Sequence, residues 1–200
     1  FAENNGSQFV CGGAKRCDEI FLISSRIAVG SGSRSGRDAL IFGAPSSRMA
    51  DCDVNLGRSG KIFFLWPNPA NARGGFEIKG NRVEGAGELL RTNQVENVEI
   101  LVEGNQFSQN TRAPFRGQSI RVLNAPRTDF VRNHVRIPRE AHLNIRPGRR
   151  HVAITLQCRT SRYNMFETDL PEGGADGFGI SYGAETEVVG DGFRGALVRA

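Results

Sequence analysis

The sequence has little lysine, tyrosine or tryptophan, and it has no long apolar run. Lysine contributes only 3 of the 26 basic residues, and Trp and Tyr together number 3. No apolar stretch approaches the roughly 18 to 20 residues of a membrane span, so we expect no insertion into a membrane. Amphipathic helical periodicity is also missing. The many short apolar runs, broken by Gly, Asn and Ser, indicate an all-β chain.

Signals for metal sites, nucleophilic catalysis and nucleic-acid binding are missing as well. The four cysteines, Cys11, Cys17, Cys52 and Cys158, include no C-x-x-C pair, and the three histidines show neither metal spacing nor a Ser/His/Asp arrangement. We therefore predict no metal and no cofactor. The absence of a helix-turn-helix or an aromatic-basic pattern argues against nucleic acid. Cys11 and Cys17 flank a Gly-Gly turn and fit either a disulfide in an exported protein or a reduced pair.

A short pattern centred on asparagine occurs three times between Phe76 and Val135. Apolar residues or Thr stand at positions −5, −3 and +2 from Asn81, Asn105 and Asn133. Alternation is the period of a strand, so the first two side chains point to one face, and a second strand begins after the Asn. Asn tolerates the left-handed backbone angles of a sharp bend, and its amide can pair with a stacked Asn. Separations of 24 and 28 residues fit one coil of a β-solenoid and predict an asparagine ladder.

The same register extends with weaker matches in both directions. Asn55 lies 26 residues upstream of the first strong match, and Ser25 a further 30 upstream. Gln157 lies 24 residues downstream of the last strong match. This gives about six coils, three strong and three degraded, as expected where terminal repeats cap a solenoid. The predicted structural ladder consists of Asn55, Asn81, Asn105 and Asn133.

With its FEIKGNRV, ILVEGNQF and TDFVRNHV blocks, the chain resembles the right-handed parallel β-helix proteins of the pectin-lyase-like superfamily. That superfamily includes pectate lyases, polygalacturonases, other polysaccharide lyases and epimerases, and bacteriophage tailspikes. The resemblance covers roughly residues 9 to 165 and implies an all-β, right-handed parallel β-helix with three parallel sheets. We predict one domain over 1–200, with an incomplete N-terminal coil at 1–16, repeat coils at 17–165 and an irregular C-terminal capping segment at 166–200.

Arginine supplies most of the net charge of +5, with 23 arginines against 3 lysines. A GC-rich genome would produce this bias, but the guanidinium fork also suits carboxylate and sulfate. In the first strand of each coil, alternation directs Arg91, Arg121 and Asn144 outward, and Arg146 follows closely. We predict that these four residues bind substrate, because a ridge of guanidiniums favours an anionic polysaccharide. The alternative is that they are solvated or pair with glutamates on neighbouring coils.

Asp51 and Asp53 alternate around Cys52 and are the candidates for a catalytic pair of carboxylates. The resemblance does not extend to them, because the third Asp and the Gly-His-Gly motif of the hydrolase members are missing. The arginine motif of pectate lyases, R-x-P-x-x-R, is not met either. A solvated turn or an ion pair with Arg48 or Arg58 is the alternative role.

Two functions fit the resemblance. The first is a carbohydrate-interacting protein, similar to the lyases and hydrolases, that binds or cleaves an acidic polysaccharide or cell-surface glycan. The second is a non-catalytic structural or receptor-binding module of a phage tail spike, fibre or surface adhesin, for which the tailspikes imply a homotrimer. Both imply an extracellular or virion-surface location. Because the chain starts at Phe1 with neither Met nor a signal-like segment, we expect it to be processed or excerpted.

Overall fold

The computed structural model describes residues 2–4, 9–11, 19–29, 39–42, 46–57, 61–65, 75–93, 95–110, 118–138, 150–169, 177–195 and 197–199. These residues form strands and the corners between them, and none of them belongs to a helix that could cross a membrane. The strands are β1 (Ala2–Asn4), β2 (Phe9–Cys11), β3 (Glu19–Ile23), β4 (Arg26–Val29), β5 (Ala39–Phe42), β6 (Ser46–Ala50), β7 (Asp53–Asn55), β8 (Lys61–Leu65), β9 (Gly75–Lys79), β10 (Arg82–Gly85), β11 (Leu90–Asn93), β12 (Glu99–Glu103), β13 (Gln106–Gln109), β14 (Ile120–Val131), β15 (His134–Arg136), β16 (Arg150–Arg162), β17 (Met165–Glu167), β18 (Gly177–Tyr182), β19 (Glu187–Val189), β20 (Gly192–Arg194) and β21 (Leu197–Arg199).

The strands stack in parallel into two hydrogen-bonded sheets. The first sheet has the order β1-β4-β7-β10-β13-β15-β17-β20. The larger sheet runs β2-β5-β8-β11-β14-β12-β9-β6-β3, and β16, β18, β19 and β21 extend it. Every pairing among the described strands is parallel. The chain is therefore a parallel β-solenoid, as predicted.

The larger sheet unites two of the three strand stacks that we predicted. The long strand β14 pairs its first part with β11, where Ile120 lies opposite Leu90, and its last part with β12, where Thr128 lies opposite Ile100. Register shifts between these parts mark the bend in β14 and β16. The first sheet contains eight described strands, one per coil, so the coil count differs from the six that we predicted.

The alternation around the three asparagines is confirmed by the buried core. Nine side chains, at positions −5, −3 and +2 of each repeat, are buried. They are Phe76, Ile78, Val83, Ile100, Val102, Phe107, Thr128, Phe130 and Val135. A stack of aromatic rings runs from this core to the exposed ring of Phe193: centroid distances are 6.4 Å for Phe107 and Phe130, 6.5 Å for Phe130 and Phe166, and 5.8 Å for Phe166 and Phe193.

A hydrogen-bonded asparagine ladder follows one corner of the coil, which confirms that part of the fold prediction. Asn81 donates from its backbone N–H and its side-chain Nδ2 to Asn105 Oδ1, at 3.0 and 2.9 Å. Asn105 donates in the same way to Asn133 Oδ1, and Asn133 to Asn164 Oδ1. Each of these amides also donates to a backbone carbonyl one coil back. All four side chains are about 1% exposed, so their polar atoms depend on these partners.

The upstream rung is Cys52, and the prediction of Asn55 as a rung is wrong. The backbone N–H of Cys52 donates to Asn81 Oδ1 at 2.9 Å, whereas Asn55 is an exposed residue of β7. The predicted register was displaced by three residues. It placed Ala50 and Cys52, which are small and buried, at positions −5 and −3 of a repeat centred on Asn55. Ser47 and Met49 occupy the inward positions of this coil, opposite the equivalent residues of β9. The Cys52 thiol takes the place of the amide and lies 3.4 Å from the Leu22 carbonyl oxygen.

The downstream rung is Asn164, and the placement of Gln157 in the ladder is wrong. Gln157 lies at the bend of β16, where its Oε1 accepts a hydrogen bond from the Asn124 N–H at 3.2 Å. Asn164 was not predicted because the position three residues before it is the polar Ser161, which interrupts the apolar pattern. Ser161 is nevertheless fully buried and donates to Asp191.

Asp191 forms the last described rung, within the segment 166–200 that we predicted to be an irregular cap. Its Oδ1 accepts hydrogen bonds from the Asn164 N–H and Nδ2, both at 2.9 Å. Its Oδ2 accepts from the Ser161 and Tyr182 hydroxyls. The strands β18, β19 and β20 around it continue the parallel stack, so the described part of this segment is regular. The repeat was not recognised there because a carboxylate replaces the asparagine.

The left-handed backbone angle of each corner lies one residue earlier than predicted. Gly80, Gly104, Arg132 and Tyr163 directly precede the asparagines and have φ values of 67°, 64°, 53° and 56°. Because the chain bends at the residue before each Asn, the Asn side chain points into the corner and hydrogen-bonds to the equivalent residue of the next coil. Arg132 and Tyr163 accept a conformation that side chains other than Gly, Asn and Asp adopt rarely.

We expect Asn105→Ala to lower the free energy of unfolding by about 3 kcal/mol, because it leaves buried donors and acceptors on three coils without partners. Asn55→Ala should change it by only about 0.5 kcal/mol, since Asn55 is exposed and outside the ladder. Urea unfolding followed by circular dichroism measures both variants. Equal destabilisation by the two variants would contradict the register described above.

Candidate functional site

Among the described residues, the predicted arginine column consists of Arg91 and Arg121. They lie opposite each other on β11 and β14. Glu88, whose side chain is only 10% exposed, approaches both guanidiniums: its Oε2 lies 3.8 Å from Arg91 Nη1 and its Oε1 lies 3.7 Å from Arg121 Nε. One carboxylate thus compensates part of the charge of both arginines. An anionic chain at this position would compete with Glu88.

The other two predicted substrate-binding residues, Asn144 and Arg146, lie outside the described residues. We predicted that their strand would lie next to Arg121. In the structure β16 lies there, and Thr155 is the residue opposite Arg121. The predicted ridge therefore does not continue in the next coil.

The two aspartates predicted as a catalytic pair do not alternate along one strand. Asp51 has a φ of 54° and forms the corner, whereas Asp53 begins β7 of the first sheet. The corner at Cys52 separates them, because this residue is a ladder rung and not a strand position. Asp53 lies 3.8 Å from Arg26 across neighbouring coils, and both side chains are exposed.

The two cysteines whose side chains are described are structural. Burial raises the pKa of the Cys158 thiol to about 12 and also raises the pKa of Cys52, so both are protonated at neutral pH. Cys17 and the side chain of Cys11 lie outside the described part of the chain. Within that part, no group of three or more His, Cys, Asp and Glu side chains is placed to hold a metal ion.

A basic and partly aromatic surface covers the C-terminal half of the first sheet. The positions −1, +1 and +3 of the ladder residues point outward, and three successive coils therefore form a three-by-three array. We call this array the basic face. Its rows are Arg132, His134 and Arg136; Tyr163, Met165 and Glu167; and Gly190, Gly192 and Arg194.

Positive charge exceeds negative charge on the basic face. Glu167 is its only carboxylate; it lies 3.2 Å from His134 Nε2 and 3.4 Å from Arg136 Nε. Arg194 is exposed and lies opposite Glu167 in the register of β17 and β20. Arg132 contacts Glu103, a carboxylate of the preceding coil that also lies 3.1 Å from Lys79. Even with that neighbouring pair included, cations outnumber carboxylates by four to two.

Two glycines in the last row of the basic face leave room for the Tyr163 and Met165 side chains of the row before it. A Cβ atom on Gly190 would stand 2.7 Å from Tyr163 Cδ1, and one on Gly192 would stand 3.0 Å from Met165 Cε. The Tyr163 ring therefore lies across the bare backbone of the next coil and is 63% exposed. The result is a flat aromatic platform beside a row of basic side chains.

A groove of about 450 Å³ lies on the outer face of the larger sheet. One column of outward side chains forms its length, and successive members of this column are opposite one another on neighbouring strands. These side chains are Phe21, Arg48, Glu77, Leu101 and Asp129.

Ion pairs line the groove on β6 and β9 and again on β12, β14 and β16. Arg48 Nε lies 3.0 Å from Glu77 Oε2. Arg159 donates from Nε to Asp129 Oδ1 at 2.9 Å and from Nη1 to Glu99 Oε2 at 3.2 Å. The hydrogen bonds from the Arg159 guanidinium hold the pKa of Asp129 below its usual range.

Comparison of the chain with family models, with curated proteins and with solved structures gave no match. The parallel β-solenoid therefore rests on the strand register and the ladder.

The basic face was not predicted, because the predicted ridge of arginines follows the first strand of each coil and the basic face lies on the strands after the ladder residues. The sequence signal for this face is at positions +1 and +3 after each ladder residue. Because the side chain at +2 points inward, those at +1 and +3 point outward. Around Asn133 these positions hold His134 and Arg136. Around Asn164 the pattern could not be read, because that rung had not been recognised.

We expect Asp129→Asn to lower the free energy of unfolding at about pH 7 by roughly 1–2 kcal/mol, because Arg159 loses one of its two charged partners and keeps only Glu99. A carboxylate with a lowered folded pKa stabilises the fold fully above its unfolded pKa of about 3.9, and this contribution disappears as pH falls through the lower folded value. Urea unfolding at a series of pH values should therefore show parent and variant converging in acid. A constant difference down to about pH 2 would contradict this pairing.

Proposed function

We propose that this chain binds an acidic polysaccharide through the basic face. The observation that carries this function is the exposed Tyr163 ring beside Arg132, His134 and Arg136, on a face with surplus positive charge. An aromatic ring offers a sugar its flat apolar surface, and guanidinium forks suit the carboxylate or sulfate groups that the sugar carries.

The repeat of the solenoid supports a polymeric ligand. Strands of neighbouring coils lie about 4.8 Å apart, so chemically similar groups recur at a constant spacing along the rod. On the basic face, Arg136 and Arg194 stand two coils apart with Glu167 between them. A chain with charges at intervals can contact both arginines at once, and the two contacts strengthen each other through effective concentration.

We also infer a relationship to the pectin-lyase-like superfamily of right-handed parallel β-helices. The parallel coil with a corner asparagine ladder supports it, and the general preference for right-handed parallel crossovers supports the handedness. On this basis the protein acts at a cell surface, on a virion or outside the cell. Binding rather than cleavage is proposed, because Asp51 and Asp53 are separated by a corner and Arg26 neutralises Asp53.

The second candidate function is a non-catalytic rod, such as the shaft of a phage tail spike, fibre or adhesin. The specific observation in its favour is the compensation of outward arginines by carboxylates, as for Arg91 and Arg121 at Glu88 and for Arg82 at Glu84. In this function the ladder provides stiffness and the protein is a homotrimer. Sedimentation of the purified chain separates a trimer from a monomer.

We expect the double variant Arg136→Ala/Arg194→Ala to bind pectate, alginate, chondroitin sulfate or heparin about tenfold more weakly than the parent, with a smaller dependence on salt. The measurement is affinity electrophoresis or calorimetry with each polymer. The control is Arg26→Ala/Arg82→Ala, which removes two exposed arginines from strands β4 and β10 of the same sheet, outside the basic face, where Asp53 and Glu84 pair with them.

The control variant should bind within about twofold of the parent. Equal weakening by both double variants would show attraction by overall charge and would contradict the basic face as the site. A folded parent that binds none of the polymers would overturn the proposed function and leave the rod as the alternative. Absorbance of unsaturated uronate and reducing ends, followed during the same incubations, would reveal lyase or hydrolase activity.

A further inference from the structure

We propose that the groove on the larger sheet is a second binding site, which takes an uncharged saccharide chain. The groove crosses six strands, β3, β6, β9, β12, β14 and β16. Five spacings of about 4.8 Å give it a length of about 24 Å, which is longer than one sugar ring. It lies on a different sheet from the basic face, so it does not depend on the function proposed for that face.

The charges in and beside the groove cancel. Three carboxylates, Glu77, Glu99 and Asp129, face three guanidiniums, of which Arg48 and Arg159 line the groove and Arg127 lies 4.0 Å from Glu99 at its edge. An anionic sugar would have to displace one of these carboxylates from its arginine. A neutral ligand leaves every pair intact, so this site discriminates against the acidic polymers that suit the basic face.

The same ion pairs provide both donors and acceptors for hydroxyl groups. A guanidinium has five N–H donors, and a carboxylate has about four acceptor positions. In the pair of Arg48 and Glu77, the close contact joins Nε to Oε2, and further N–H groups and lone pairs remain for a ligand. A sugar hydroxyl donates and accepts at the same time. A groove lined by both guanidinium and carboxylate groups therefore matches a polyhydroxylated chain.

Apolar side chains provide the surface for the sugar ring itself. Phe21 stands at the N-terminal end of the groove and is 54% exposed, although large aromatic side chains are usually buried. Leu101 lies between Glu77 and Asp129 in the same column. An exposed apolar surface rimmed by polar groups is typical of a ligand site. The C–H face of a neutral sugar can pack on the Phe21 ring while its hydroxyls reach the neighbouring pair.

Asp129 and Thr160 act as positioning residues in this groove. The Thr160 hydroxyl donates to Asp129 Oδ1 at 2.8 Å, and Asp129 in turn accepts two hydrogen bonds from Arg159. The remaining nitrogen, Nη1, is thereby directed to Glu99. Thr160 and Asp129 fix the guanidinium plane before a ligand arrives, which reduces the entropic cost of binding.

The test is calorimetric or NMR titration of the whole chain with neutral oligosaccharide series (gluco-, manno-, xylo- and galacto-oligosaccharides) at millimolar concentration. We expect binding of at least one series, weakened about tenfold by Phe21→Ala and at least about fivefold by Asp129→Asn. The matched control is Ile23→Ala. Ile23 is a second exposed apolar residue of β3, at 49%, and it does not line the groove.

Ile23→Ala should bind within about twofold of the parent. Amide shift changes should map to Glu77 and Leu101 and not to the basic face, and Arg136→Ala/Arg194→Ala should leave neutral-sugar binding unchanged. Absence of binding by the folded parent to every neutral series would overturn the second site, whatever the result with acidic polymers. Equal losses in Phe21→Ala and Ile23→Ala would also overturn it, because they would indicate non-specific hydrophobic contact.

Discussion

The hydrogen-bonded corner ladder is the constraint on which the remaining structure depends. Each asparagine accepts with Oδ1 from the coil before it and donates with Nδ2 to the coil after it, so the ladder has a direction. The positions where another residue replaces the asparagine therefore need different chemistry on the two sides of the ladder. Before Asn81, Cys52 donates from its backbone N–H to Asn81 Oδ1, and its thiol is in turn hydrogen-bonded by the backbone of Ser25, one coil further upstream. Asp191 stands at the downstream end, where a carboxylate with only acceptors satisfies Asn164, Ser161 and Tyr182 together.

Because the ladder fixes the register of every coil, it also decides which side chains meet on the surface. Residues one and three places after each rung form columns on the first sheet, and the residue four places before each rung forms a column on the larger sheet. These columns differ in charge. Arg136 and Arg194 remain a cationic surplus around one carboxylate, whereas Asp129 of the second column is paired with the neighbouring Arg159, which also contacts Glu99. A single fold thus presents one face suited to anions and one suited to neutral ligands.

The part of the fold that sequence could predict is the part where apolar alternation and asparagine coincide, at Asn81, Asn105 and Asn133. Prediction failed at Asn164, where Ser161 interrupts the apolar alternation, and where another residue type replaces the asparagine, because a thiol at Cys52 and a carboxylate at Asp191 make ladder contacts that no asparagine pattern reveals. An offset of three residues then placed Asn55 in the ladder in the position of Cys52. The basic face and the groove combine side chains from three to six coils, so their assembly required the register that only the structure provides.

Exchange of the side-chain amide protons with deuterium, followed by NMR, tests the ladder most directly. We predict that the Nδ2 protons of Asn81, Asn105, Asn133 and Asn164 exchange as slowly as backbone amides of the core strands, because each donates to a buried acceptor. The side-chain amide of Asn55 should exchange at the rate of a solvent-exposed group. Fast exchange of the four ladder amides, or equal protection of Asn55, would contradict the directional ladder and the register that depends on it.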